Sequence, residues 1–130
     1  MSVERINVEL ALLQEGGIDA EYFPDQNAVL YRSVPTAGAP LNLPAASHVA
    51  VPIPGGYPAS AIDLGGLPVG SPLIGRAKGQ PNGPVITIAG QQYQYISYHP
   101  YQNEGGVWDP SKHGFHTYYG WVLTWLNFLK

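Results

Sequence analysis

At 130 residues, 45% of them hydrophobic and 12% charged, the chain fits one domain, 1–130, with room for a real core but not for two. The net charge of −3 and six scattered cations, Arg5, Arg32, Arg76, Lys78, Lys112 and Lys130, make no basic stripe, so no nucleic-acid partner is expected. With no Cys in the chain, disulfides, thiolate-bound zinc and thiol catalysis are excluded. Ile6, Leu10 and Leu13 recur at helical spacing, and Gly16-Gly17 stops the pattern, which predicts an N-terminal helix. Glu4, Arg5 and Glu9 interrupt that segment, and no later run approaches about 20 apolar residues. Neither a signal peptide nor a transmembrane segment is expected, and the expected location is the cytoplasm. The low charge content suggests apolar surface covered by a partner.

"IDAEYF" and "AVLYRSV", separated by the turn-rich "PDQN", predict a hairpin, and "HVAVPIP" a third strand that ends where Pro52 and Pro54 cannot donate to a ladder. The stretch from Gly55 to Pro84 is punctuated by Gly and Pro, so it predicts an ordered meander without a continuous helix. "VITIAGQQYQYISY" predicts two further strands broken at Ala89-Gly90, with Tyr93, Tyr95 and Ser97 on one face and Gln92, Gln94 and Ile96 on the other. In "GFHTYYGWVLTWLNFLK", residues Tyr118, Trp121, Val122, Trp125, Leu126 and Leu129 fall three and four apart and predict a C-terminal helix. Asp109 and Pro110 carry its start signal. The Gly-Gly pairs at 16, 55, 65 and 105 read as tight corners with positive φ. Helices flanking antiparallel strands define an α+β domain.

The order of short motifs resembles the ubiquitin-conjugating enzyme superfamily. Tyr57-Pro58 after the third strand, His99-Pro100 opening a loop, and Trp108-Asp109-Pro110 before the last helix match that family's Tyr-Pro, His-Pro and Trp-x-Pro elements. The usual catalytic Cys and its flanking segment are missing. "YISYHPYQNEGGVWDPSKHGFHTYYGWV" is most similar to a bacterial branch, prokaryotic family E, with a His in this region and no usual Cys. The resemblance implies an antiparallel meander sheet with an N-terminal and a C-terminal helix packed on it. It implies as partners a ubiquitin-like modifier, its activating enzyme and a metallopeptidase that removes the modifier. No cofactor is implied.

Without a thiol, three routes remain for the loop. His99 can carry an acyl group fleetingly on its imidazole. Ser97, Ser111 or Thr117 can form an oxyester with His99, His113 or His116 as general base, since an unassisted hydroxyl is a weak nucleophile. Alternatively the domain is a catalytically inactive scaffold that binds the modifier. Catalytic candidates are therefore His99, Ser97 and Ser111. Tyr98, Pro100, Asn103, Glu104, Trp108, Asp109, His113 and His116 are candidate loop and partner contacts, with Asn103 to Trp108 as a gating loop, and Tyr57, Pro58 and Pro110 belong to the fold motif. The structural alternatives are a His99 that hydrogen-bonds the loop backbone, a Trp108 that anchors the loop, and serines that cap turns or face the sheet surface. A metallohydrolase on His99, His113 and His116 is a remote alternative, because zinc needs three or four convergent ligands and the spacing here is weak.

Overall fold

The computed structural model describes residues 3–103 and 107–130, with the side chains of residues 102 and 103 left aside. Helix α1, Val3–Glu15, leads to a hairpin of β1, Ala20–Phe23, and β2, Ala28–Pro35, joined by a 3-10 turn at Pro24–Gln26. Strand β3, Ala46–Pro52, stops at its proline as expected, since Pro has no N–H to continue the ladder. Then come β4, Leu64–Pro68, β5, Val85–Ile88, β6, Gln91–Ser97, a one-turn helix α2, Pro100–Asn103, and helix α3, Phe115–Asn127. The strands form one antiparallel sheet in the order β1-β2-β3-β4-β6-β5. The fold is α+β.

Period-2 alternation divides the sheet's two faces. Val29, Tyr31, Val49, Val51, Leu67 and Ile96 face the helices and join Ile6, Leu10 and Leu13 of α1 and Phe115, Tyr118, Val122, Trp125 and Leu126 of α3 in one core. Ala28, Leu30, Ala50, Tyr93 and Tyr95 point the other way, where Ile88 joins them in a second cluster flanked by Phe23 and Ile86. Among the described residues no helix packs in that cluster. It is buried because the sheet curls, bringing β5 at one edge against the 3-10 turn that follows β1 at the other.

Strand β4 lies inside the stretch expected to be an ordered meander, and Gly65-Gly66 sits in its middle instead of at a corner. The pair is there for thinness: a Cβ on Gly65 would lie 2.7 Å from the Trp125 ring, and one on Gly66 would lie 2.8 Å from the Tyr95 ring and 3.0 Å from the Ala50 carbonyl oxygen. Helix and aromatic ring thus close onto opposite faces of a strand whose centre has no side chains. Gly66→Ala is expected to lower stability by about 1–3 kcal/mol, the usual result of overpacking against backbone, read as a lower urea midpoint with an unchanged slope. Positive φ does occur at Gly17 and Gly56, while Gly105 lies outside the described residues.

Candidate functional site

Two chain turns meet at one end of the sheet. β4 and β6 pair antiparallel with Leu64 opposite Ser97, so Asp63, one residue before β4, falls beside the chain leaving β6. There His99 Nδ1 pairs with the Asp63 carboxylate, both side chains about a third exposed, at 35% and 33%. His99 takes φ +46°, the left-handed region that few non-glycine residues enter, and Pro100 then opens α2 at the first helical position, where its missing N–H costs nothing. The side-chain partner differs from the loop-backbone contact considered from sequence.

Trp108 is tied to the Tyr57-Pro58 element. Its Nε1–H donates to the Pro58 carbonyl at 2.8 Å, and its ring lies 6.2 Å from Tyr57, next to the cis Tyr57-Pro58 bond. Tyr101 of α2 meets Trp108 edge-on at 5.3 Å, and His113 completes the group at 5.7 Å from Trp108 and 5.8 Å from Tyr101. The Tyr-Pro and Trp elements, 50 residues apart, therefore form one cluster.

The hydroxyl candidates are engaged elsewhere. Ser97 Oγ donates to Asn82 Oδ1 at 2.8 Å. Ser111 Oγ and N–H both donate to Asp109 Oδ1, at 2.7 and 2.9 Å, and the hydroxyl, then the amide, hold the Asp109 carboxyl below its usual range. Thr117 Oγ1 bonds the Gly114 backbone at the start of α3. Tyr98, expected among contact residues, is buried and stacked on Trp125 at 4.5 Å. Pro100 is buried as well. The Asn103 side chain and Glu104 lie outside the described residues, so the gating-loop expectation has no structural description over its centre.

His113 and His116 do not converge. His113 Nδ1 accepts from the Asp109 N–H at 2.9 Å, inside the aromatic group. His116 instead lines a groove against α1 with Arg5, Val8, Leu12 and Lys112, and its Nδ1 is buried without a hydrogen-bond partner among the described residues. Among those residues no group of three His, Asp or Glu side chains is placed to hold a metal ion.

The start signal at Asp109-Pro110 makes only a turn, closed by His113 N–H to the Asp109 carbonyl, and α3 begins at Phe115. An acceptor for the start of the helix comes from Glu9, one of the polar residues that interrupt the apolar pattern of α1. Its carboxylate is 3% exposed; Oε1 accepts from Tyr57 O–H at 2.6 Å and Phe115 N–H at 3.0 Å, and Oε2 from Arg5 Nε at 2.6 Å. An anion here meets the positive end of α3 and satisfies one of its orphan donors. Gly114 makes room, since a Cβ there would sit 2.4 Å from that carboxylate. The Glu9–Arg5 pair at i, i+4 on the Ile6-Leu10-Leu13 stripe was the available signal.

Comparison with protein-family models, curated proteins and solved structures gives no match. Among the described residues no helix is long and apolar enough to cross a membrane.

Proposed function

We propose that this chain is a ubiquitin-conjugating-enzyme-like domain, most similar to the prokaryotic family E branch. In this reading it works in the cytoplasm with a ubiquitin-like modifier and its activating enzyme, and a metallopeptidase acts in the same pathway. The observation that carries the reading is the junction of motifs: Trp108 donates to Pro58 and packs on Tyr57, so two of the three elements behind the resemblance share one cluster. His99-Pro100 opens α2, whose Tyr101 touches Trp108. An antiparallel meander of β1 to β4 with helices on one face is the architecture that the resemblance implies. Acyl transfer then centres on His99, an imidazole about a third exposed and paired with an acid.

The scaffold reading is favoured by a different observation. Ser97, Ser111 and Thr117 each have a structural partner, so none is displayed as an acyl acceptor for His99. The two readings separate by intact mass after incubation with modifier, activating enzyme and ATP. A hydroxylamine-sensitive adduct that disappears in His99→Ala supports the enzyme; a stable complex without adduct or turnover supports the scaffold; neither binding nor adduct removes both.

A further inference from the structure

Asp63 appears in no motif that suggested the function, yet it is the residue that settles which nitrogen of His99 is tied up and which is not bound to it. An ionised carboxylate has acceptors only, so the Nδ1 atom against it must carry the ring proton of the neutral imidazole. Nε2 then carries the ring's lone pair. In the common alternative arrangement, with Nε2 protonated, that atom would be a donor and useless as a base. The chain pays for this aim in backbone conformation: His99 adopts φ +46° immediately before a proline, a place where the preceding residue is ordinarily extended. Both side chains remain about a third exposed, at 35% and 33%, so the imidazole and its acid are not sealed into the core.

We propose that His99 Nε2 is a general base for acyl transfer and that Asp63 is its positioning residue. The inference rests on the reading of the domain as an acyl-transfer protein and adds to it the class of acceptor served. That class is a neutral oxygen or nitrogen nucleophile that must lose a proton as it attacks; a thiolate would need no such help. The acceptor's heteroatom bonds to the acyl carbon while the bond from that carbon to the leaving group breaks. The acceptor's proton passes to Nε2 and from there to the departing sulfur or oxygen. Nδ1–H stays on the Asp63 carboxylate throughout, so the imidazolium formed in passing is held in place. Because Ser97, Ser111 and Thr117 are engaged elsewhere, the acceptor comes from outside the chain.

The whole chain, labelled with nitrogen-15 at histidine, tests the geometry without any turnover. At a pH where the ring is neutral, His99 is expected as the Nδ1–H tautomer in the wild type and as a mixture in Asp63→Ala, with melting temperatures alike. p-Nitrophenyl acetate then tests the chemistry: nitrophenolate release is expected to fall about 10²-fold, to buffer level, in His99→Gln, and at least about tenfold in Asp63→Ala. Slower His99-dependent release in D2O supports the base, and an unchanged rate, the mark of direct attack by the imidazole on the ester, overturns it; rate increase by added glycinamide then tells a nitrogen acceptor from an oxygen one. An Nε2–H tautomer in the wild type overturns the positioning role. The expected tautomer with no His99-dependent release leaves the pairing standing and overturns the base role together with the acyl-transfer reading.

Discussion

Just above pH 10 the domain is expected to unfold over a narrow interval. Burial, first, raises the phenols of Tyr31, Tyr57, Tyr95, Tyr98 and Tyr118 above the ordinary value of 10.0. Three of these hydroxyls must keep the proton to donate: Tyr31 to the Phe115 carbonyl, Tyr57 to Glu9 and Tyr118 to the Leu64 carbonyl. Below pH 10 both the folded and the unfolded chain hold these protons, and stability is complete. Above it the unfolded chain sheds them and the folded chain does not, so stability falls as pH rises. Each such phenol contributes a slope of about 1.4 kcal/mol per pH unit. Acting together they consume a typical domain stability of about 5–15 kcal/mol within about two units. Near-ultraviolet circular dichroism and tyrosinate absorbance should change at the same pH. Gradual titration of all the tyrosines around pH 10 with the folded signal intact would show that these rings are not buried as described.

Glu9→Ala is expected to cost about 3 kcal/mol. The substitution strands Tyr57 O–H and Phe115 N–H without their acceptor, each worth about 1–3 kcal/mol when left buried. Arg5 adds less, because its side chain is 27% exposed and can turn to water, which keeps the total at the low end for breaking a buried pair. Glu9→Gln retains one acceptor oxygen for both donors and should lose about half as much. Since Tyr57 packs on Trp108 and on Phe115 at 5.2 Å, the Ala variant should also shift Trp108 fluorescence before global unfolding. Urea titration monitored at 280 and 295 nm excitation checks both effects. A change of under about 0.5 kcal/mol, ordinary for a surface site, would contradict the capping role of Glu9.

Both long helices, the first hairpin and the β5–β6 hairpin were legible because each rests on local periodicity and turn chemistry. Ala89 and Gly90, both at positive φ, make the expected break between β5 and β6. Strand β4 was not legible. Its Gly-Gly centre has the local character of a loop, and its reason for being a strand lies in rings that approach from Trp125 and Tyr95, far away in the chain. Missing β4 also hid Asp63, whose place beside His99 depends on the β4–β6 register and on nothing within its own neighbourhood. The late start of α3 has a similar cause: Asp109 satisfies the N–H of Ser111 and closes a turn, while the acceptor that starts the helix comes from α1. His99 and Trp108 were found because their motifs are short and local. Their side-chain contacts, with Asp63 and Pro58, are tertiary.

The central claim is that an acyl group passes through this domain under the control of His99. Its most direct measurement is the decay of the modifier's thioester on the activating enzyme after the protein is added in a single turnover. The account predicts decay at least about tenfold faster with the wild-type chain and no acceleration with His99→Gln, a loss within the range of one general base. Tight association of both proteins with an unchanged decay would contradict it.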